Sequence, residues 1–302
     1  MVSATLGSMR APVVSLGLPV FDGGTWLARA IESILAQTWG DFELIISDNA
    51  STDGTADCVR DYAARDRRIR VFRQLRNIGC GNNWTFVARQ ARGEWLKWVS
   101  ANDDYAPNLV QDCLAPMRND ASVALCYGHT QFIDLQGNRL DLYGGDFDAL
   151  SSDPLERYRV VRERLHLGTP LQAGVIRLDA LRRCGYLGNY RDSDRVLIAG
   201  LALAGKFVLL PQVMFYRRWH PTVASALRGP LEVERLYHPN AKRAPLLGNL
   251  PRQIGQIEIA LRTPVGLRAK ARALAAVVRY TDWRRKLLSQ FAKASTRHAA
   301  GR

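Results

Sequence analysis

The stretch that decides the fold is Phe42-Glu43-Leu44-Ile45-Ile46-Ser47-Asp48-Asn49-Ala50-Ser51-Thr52-Asp53-Gly54-Thr55. It is a short apolar run, typical of a buried strand, that ends in a carboxylate followed by turn residues. A second run, from Gly93, ends in Asn102-Asp103-Asp104. A buried strand that ends in Asp places charge at the carboxyl edge of a parallel sheet, where open α/β folds bind ligands. The two stretches therefore predict a nucleotide site with a metal at that edge.

Strand and helix patterns alternate outward from this stretch through most of the chain. The helical spacing of Leu27, Ile31 and Ile34, for example, separates the first two strand candidates. The strand candidates are Pro12–Val20, Phe42–Ile46, Ile69–Phe72, Trp95–Val99, Val123–Tyr127, Ala173–Arg177, Phe207–Leu210 and Val213–Arg218. This alternation predicts an α/β fold built on a doubly wound, mainly parallel sheet. We expect this domain to cover residues 12–230.

Positive charge is concentrated at the end of the chain. The formal net charge is +14, and the last 86 residues account for all of it, with 18 Lys+Arg and four Asp+Glu. We expect residues 231–302 to form a basic, mainly helical appendage, because Arg262–Gln290 interleaves apolar and basic residues at helical spacing. Three interpretations of this charge are open. The basic residues could form a solvated helical face, or they could contact an anionic membrane surface, which Trp283 and Phe291 favour. The third interpretation is nucleic-acid binding, which we do not expect.

Cysteine spacing and apolar runs predict a location. The five cysteines are odd in number and none is spaced as Cys-x-x-Cys, which argues against a disulfide framework or a zinc site. Residues 1–12 lack the apolar core of a signal peptide. The run Val196–Phe215 is long enough to span a membrane, but Gly205 and Pro211 favour a helix followed by a strand. We therefore expect a cytoplasmic protein, peripheral on the inner face of the cell membrane if the basic tail binds there.

Seven motifs, in this order, resemble those of the inverting family 2 glycosyltransferases, which have the GT-A fold. Each motif alone is weakly specific, whereas the ordered set is strongly so, and it covers roughly Val13 to Ala226. The motifs are Leu18-Pro19-Val20-Phe21-Asp22-Gly23, the Asp41–Thr55 stretch, Arg76-Asn77-Ile78-Gly79, Ala91-Arg92-Gly93-Glu94-Trp95, Asn102-Asp103-Asp104, Arg191-Asp192-Ser193-Asp194 and Phe215-Tyr216-Arg217-Arg218-Trp219-His220-Pro221.

The resemblance implies transfer of a sugar from a nucleotide-diphosphate sugar to an acceptor hydroxyl. The family's typical work is cell-surface polysaccharide synthesis, with a glycan or lipid-linked acceptor. A divalent cation, Mn²⁺ or Mg²⁺, would neutralise the leaving diphosphate as a Lewis acid. The candidate ligands are Asn102, Asp103 and Asp104, since a hard cation prefers oxygen donors. The usual Asp-x-Asp motif is altered here, with Asn102 at a position normally held by Asp, so which of the three contacts the cation stays open.

The resemblance implies further ligand-binding residues. Asp48 matches the carboxylate that accepts a hydrogen bond from the nucleobase, and the base would also contact Pro19, Val20 and Phe21. Arg218 and His220 match positions near the metal or the diphosphate, where arginine binds phosphate oxygens bidentately. The structural alternatives are a turn cap for Asp48, a strand end packed on the core for the segment Pro19–Phe21, and a surface side chain for His220.

Inversion at the anomeric carbon requires a general base for the acceptor hydroxyl. Asp194 matches that base, as the last acidic residue before an apolar helix, and Asp192 is the second choice. The structural alternative is that Asp194 stands at the helix start only because the macrodipole favours a carboxylate there.

Two other functions are compatible with part of the pattern. One is a different enzyme on a nucleotide-binding sheet, such as a sugar nucleotidyltransferase or a dehydrogenase. There is no P-loop motif, however, and Gly79-Cys80-Gly81 lacks the third glycine of the dinucleotide fingerprint. The other is a catalytically impaired GT-A-fold protein that binds a sugar nucleotide or a membrane, which the change to Asn102 would favour.

Overall fold

The computed structural model of the chain describes residues 11–164, 173–219, 229–245, 250–263 and 266–280. Their centre is one nine-stranded sheet. Its apolar core is continuous across the sheet and the helices packed on it, from Val14 in the first strand to Phe215 in the last. The predicted α/β class is confirmed.

The first four strands are parallel and form one half of the sheet. They are β1 (Val14–Val20), β2 (Phe42–Asp48), β3 (Ile69–Arg73) and β4 (Trp95–Trp98), in the spatial order β3-β2-β1-β4. Their connections are the helices α1 (Leu27–Leu35), α2 (Thr55–Arg65) and α3 (Cys80–Gln90). Every residue of β1 and β2 is buried, as expected for strands covered on both faces. These are the elements that the apolar patterns predicted.

The second half of the sheet mixes strand directions. Its strands are β5 (Asp104–Tyr105), β6 (Val123–Ile133), β7 (Arg139–Leu142), β8 (Gly174–Arg177) and β9 (Lys206–Arg218), and its helices are α4 (Leu109–Asn119), α5 (Pro154–Arg164), α6 (Leu178–Cys184) and α7 (Ser193–Ala204). β8 lies antiparallel between β4 and β6, and β9 runs parallel to β6. β5 and β7 pair antiparallel with β9 and β6. The parallel character is thus strongest around β1, where the predicted ligand edge lies.

A single strand, β9, replaces two strands of the sequence prediction. Its pairing with β6 jumps from Leu210 to Val213, so Pro211 and Gln212 lie in a bulge. Both residues are exposed. Because proline has no N–H to donate to a ladder, a bulge is where a strand tolerates it. The strand therefore continues to Arg218 at the ligand edge.

Helices follow the sheet. They are α8 (Pro230–Tyr237), α9 (Leu250–Arg262) and α10 (Leu267–Tyr280). α8 packs on α3, α9 packs on α7, and α10 packs on α9. The predicted helical character holds over these residues, although one helix was expected over Arg262–Gln290. The residues Trp283 and Phe291 lie outside the described ranges, and the boundary between residues 230 and 231 stays a prediction.

Membrane-spanning helices are absent from the described ranges, where no helix combines the required length and apolarity. The apolar run Val196–Phe215 divides into most of α7 and most of β9. Gly205 separates the two elements, as the sequence predicted.

Candidate active site

Asp48 ends β2 at the carboxyl edge of the parallel strands. Its register partner on β1 is Val20, and it is 1% exposed. Its Oδ1 accepts a hydrogen bond of 2.9 Å from the Ser51 N–H. Within the described residues its Oδ2 receives no hydrogen bond, and the nearest cation is Arg73, whose Nη1 lies 3.4 Å away. Asp48 is therefore a turn cap on one oxygen and keeps acceptor capacity on the other.

The loop after β1 lies against the loop after β2. Pro19 and Val20 are buried, whereas Phe21 is 49% exposed. The Asp22 side chain accepts a hydrogen bond from the Thr52 N–H, at 2.9 Å. Three more hydrogen bonds hold the two loops together. Ser51 accepts from the Asp22 N–H, Thr55 from the Gly23 N–H, and Asp53 from the Gly24 N–H. This fixes an exposed aromatic ring beside the Asp48 edge.

The Asn102–Asp104 loop follows β4 on the other side of β1. Asp103 is buried, and its Oδ1 accepts a hydrogen bond of 2.9 Å from the Arg218 N–H. Burial raises the pKa of the Asp103 carboxyl to about 6, against the lowering effect of that hydrogen bond. Asp104 forms ion pairs with Arg218, at 2.9 Å, and with Arg29, at 2.8 Å. The half-buried Asn102 accepts a hydrogen bond from the Ser100 hydroxyl.

The oxygen donors of this loop fit a divalent cation that also has other ligands. In the described ranges, no group of three or more His, Cys, Asp or Glu side chains is arranged to hold a metal. Mg²⁺-type ions, however, are commonly held by one or two protein oxygens together with substrate phosphates and water. Asn102 offers an amide oxygen, while the carboxylates of Asp103 and Asp104 are already bound to arginine groups. The loop thus suits a cation that binds together with a diphosphate.

Arg218 lies behind this loop with no exposed side-chain surface. Its Nε donates to Asn102 O at 3.0 Å, its Nη2 to Asp104, and its Nη1 to the carbonyls of Asp134 and Leu135 at 2.8 and 3.3 Å. A direct contact with diphosphate, as the sequence predicted, would require this guanidinium to give up these bonds. Its geometry is that of a support for the loop. The other predicted diphosphate ligand, His220, lies outside the described residues.

A buried lysine also supports this loop. The Lys97 ammonium lies 4.3 Å from the centre of the Tyr105 ring and is fully buried in β4. Burial lowers its pKa to about 7, although the nearby Cys113 and Asp103 act in the other direction. Tyr105 in turn accepts a hydrogen bond from the Ser100 N–H. Sequence analysis missed Lys97, yet a charged residue inside the apolar run Trp95–Val99 was a signal that could have found it.

Asp194 lies in the first turn of α7. Burial raises the pKa of the Cys80 thiol to about 12, and the charge of Asp194 adds to that rise. Asp192, the alternative base, is the N-cap of α7 with φ of 63°. It pairs with Arg252 at 3.2 Å and with Arg195 at 3.7 Å. The two arginines hold Asp192 in place at the helix start.

The sequence model of Glycosyl transferase family 2 matches residues 15–165, which is half of the chain. The chain belongs to glycosyltransferase family 2. The matched segment contains both the Asp48 edge and the Asn102–Asp104 loop, but ends before Asp194 and Arg218. This membership argues against the alternative that the chain is a dehydrogenase or a sugar nucleotidyltransferase.

Two curated relatives show how far the sequence likeness extends. A chondroitin synthase of Escherichia coli is 35% identical over 136 residues, 45% of this chain and 19% of that protein. An uncharacterised glycosyltransferase of Methanocaldococcus jannaschii is 29% identical over 137 residues, 45% of this chain and 47% of that protein. The matched part therefore spans only about a fifth to a half of these relatives.

Solved structures establish the fold of this glycosyltransferase family member. TarS of S. aureus (residues 1–349, in complex with UDP-GlcNAc) superposes with a TM-score of 0.62 at 16% identity, covering 89% of this chain and 72% of that one. The mannosyltransferase PcManGT of Pyrobaculum calidifontis, in complex with GDP-Man and Mn²⁺, gives 0.52 at 17% identity, covering 95% and 81%. At these identities the likeness shows the fold, and it confirms the predicted GT-A class.

Replacing Arg218 by lysine tests its supporting role. An ammonium cannot reach Asn102 O, the Asp104 carboxylate and the Asp134 carbonyl together, so buried acceptors would lose their partners. We expect Arg218→Lys to lower the free energy of unfolding by about 3 kcal/mol, the scale for breaking a buried ion pair. Denaturant titration of the full chain measures this change. Arg217→Lys, at the neighbouring half-buried position, is the control, and equal stability of the two variants would contradict the assignment.

Proposed function

We propose that this family 2 glycosyltransferase transfers a sugar from a nucleotide-diphosphate sugar to an acceptor hydroxyl with inversion at the anomeric carbon. The observation that carries the proposal is the pairing of two sites on one sheet edge. The Asp48 Oδ2 atom, which receives no hydrogen bond within the described residues, lies on one side of β1, and the Asn102–Asp104 loop lies on the other. The first suits a nucleobase donor group, and the second suits a diphosphate with its cation.

The base would bind at the ends of β1 and β2. The Asp48 Oδ2 atom would accept a hydrogen bond from a base N–H, because this buried oxygen receives no hydrogen bond within the described residues and Arg73 Nη1 lies 3.4 Å away. The exposed ring of Phe21 would stack on the base, and Pro19 and Val20 would supply backbone contacts. TarS with UDP-GlcNAc and PcManGT with GDP-Man make uridine and guanosine diphosphates the first nucleotides to test.

The diphosphate would bind at the Asn102–Asp104 loop. A divalent cation, Mn²⁺ or Mg²⁺, would supply charge neutralisation for the leaving diphosphate. All three candidate ligands stay open, because Asn102 accepts a hydrogen bond from Ser100, Asp103 accepts one from the Arg218 N–H, and Asp104 is held by two arginines. The role of Arg218 and Lys97 is to keep this loop in one position from behind, so that no binding energy is lost in ordering it.

The acceptor hydroxyl would lose its proton to Asp194. The carboxylate stands in the first turn of α7, where the helix dipole favours its charged form. A base in its charged form is ready to accept the proton as the hydroxyl oxygen attacks the anomeric carbon. Asp192, the N-cap of the same helix and an ion-pair partner of Arg252 and Arg195, is the second choice for this role.

The acceptor is proposed to be a glycan or a lipid-linked saccharide in cell-surface polysaccharide synthesis. The basic C-terminal region would then hold the cytoplasmic enzyme at an anionic membrane surface. Co-sedimentation tests this: a region that binds the membrane would sediment with anionic vesicles and not with zwitterionic ones, whereas a solvated helix would sediment with neither. The second candidate function, a catalytically impaired sugar-nucleotide or membrane binding protein, is favoured only by Asn102 at the usual Asp position.

A panel of nucleoside diphosphates tests the donor site. We expect one base to raise the melting temperature of the full chain, with a larger shift when Mn²⁺ is present, because a ligand that binds only the folded state stabilises it. Asp48→Asn should weaken that nucleotide about tenfold or more, since the amide replaces a charged acceptor. The control is Asp57→Asn, an exposed carboxylate on α2. Absence of any shift, with or without metal, would contradict the nucleotide site.

Asp194→Asn tests the general base. We expect transfer to fall at least about 10²-fold, because the amide cannot accept the acceptor proton, while the affinity for the nucleoside diphosphate is kept. Initial rates and calorimetric titration measure the two quantities. Asp192→Asn is the comparison, expected to retain far more activity. Full transfer by Asp194→Asn, in a normally folded protein, would exclude it as the base.

A further inference from the structure

Exposed apolar side chains are concentrated in and beside one hairpin of the sheet. Of the eight large apolar side chains that are exposed in residues 11–164 and 173–219, three lie on the β6–β7 hairpin and a fourth follows β9, and none of the eight lies on a helix. The four are Leu135, Leu140, Leu142 and Trp219, which are between 43% and 60% exposed. We call them the hairpin patch. Exposed apolar surface gathered in one place marks an interaction site.

Hydrogen bonds tie the hairpin patch to the candidate active site. The Trp219 N–H donates to Ile133 O at 2.9 Å, which joins the residue after β9 to the end of β6. Arg218 donates from Nη1 to Leu135 O at 3.3 Å and from Nη2 to the Asp104 carboxylate at 2.9 Å. One buried guanidinium therefore holds both the hairpin and the proposed cation loop. A surface that binds the patch would lie beside the reaction site.

The hairpin strand β7 is covered on neither face. All four of its residues are exposed, whereas an antiparallel strand commonly packs one face on the core. In the described sheet β7 pairs with β6 alone, with Gln131 opposite Leu142 and Ile133 opposite Arg139, so three steps along β7 oppose two along β6. Such a β-bulge on an edge strand hinders pairing with a strand of another chain. The patch therefore suits a fluid medium that can surround it better than a strand from a protein partner.

The polar neighbours of the patch suit lipid headgroups. Arg139 on β7 is exposed, and Arg217 lies two residues before Trp219 at a half-buried position. Arginine binds phosphate oxygens bidentately, and the amphipathic ring of tryptophan favours a boundary between apolar and wet surroundings. Asp141 is the one carboxylate of β7, whereas the formal net charge of the whole chain is +14. These features together favour an anionic lipid surface.

We propose that the hairpin patch inserts into the interfacial layer of an anionic lipid bilayer and places the Asn102–Asp104 loop beside that surface. Insertion stops at headgroup depth, because unpaired backbone groups of β7 would be costly in the hydrocarbon core. This contact is separate from the attraction between residues 231–302 and the membrane. Its consequence rests on the transferase function proposed above: the acceptor is then a lipid-linked saccharide and not a free glycan.

Co-sedimentation of the full chain with vesicles of phosphatidylcholine and phosphatidylglycerol tests the hairpin patch. Binding is measured at about 0.1 M and about 1 M NaCl, because the higher concentration screens the attraction between the basic tail and the lipid. We expect binding to persist at high salt, since apolar insertion does not depend on charge. The triple variant Leu135→Ser/Leu140→Ser/Leu142→Ser should lower the high-salt partition coefficient about tenfold or more, because it removes apolar surface that the lipid buries. Its affinity for the nucleoside diphosphate that stabilises the wild type should stay within about twofold.

The matched control removes an exposed apolar stripe elsewhere in the chain. Leu250, Ile254 and Leu261 on α9 are 44%, 48% and 50% exposed, and Leu250→Ser/Ile254→Ser/Leu261→Ser should keep the high-salt binding. Two results would overturn the proposal: a wild type that releases all vesicles at high salt, or loss of that binding in the α9 variant but not in the hairpin variant. In either result the nucleotide site would stand. A wild type that binds vesicles but no nucleoside diphosphate would instead refute the proposed function and leave the hairpin contact intact.

Discussion

A buried guanidinium ties together the parts of the chain that form the site. Arg218 comes from the end of β9, contacts the Asn102–Asp104 loop, and reaches the turn after β6 through the carbonyls of Asp134 and Leu135. Removing such a charge from water is costly, and only a full set of partners offsets that cost. Because Arg218 uses both its backbone and its side chain, the loop has one position relative to the sheet. The remaining site geometry depends on that position.

The strand order places the Asn102–Asp104 loop and Asp48 at the same edge of the sheet. β1 lies between β2 and β4, so Asp48 and the Asn102–Asp104 loop are about two strand spacings apart, roughly 10 Å. That separation suits a ligand with a base at one end and a charged group at the other. The helices add side chains near this edge and beyond it: α1 carries Arg29 to its ion pair with Asp104, and α7 carries Asp194 in its first turn.

Local patterns predicted the elements around this edge, but not the contacts that hold it. The apolar runs placed β1, β2 and β4 because these strands are buried along their length, and β3 because its apolar residues alternate with arginines. The strand-end carboxylate Asp48 followed directly. The role of Arg218 could not be read in the same way. Its partners lie more than 80 residues away in sequence, and only the fold shows that its guanidinium points inward. The hydrogen bond from the Asn189 side chain to Tyr237 O also joins distant segments, and local patterns could not predict it or the packing of α8 on α3.

We propose that one sheet edge holds the whole nucleotide diphosphate, with its cation at the Asn102–Asp104 loop. The most direct measurement is an anomalous difference map from crystals of the full chain grown with Mn²⁺ and the nucleoside diphosphate that stabilises it. We expect a Mn²⁺ peak about 2–2.5 Å from a side-chain oxygen of Asn102, Asp103 or Asp104, in the oxygen-ligand range, and a base whose N–H lies beside Asp48 Oδ2. A nucleotide bound away from this edge, or a Mn²⁺ peak remote from the loop, would contradict it.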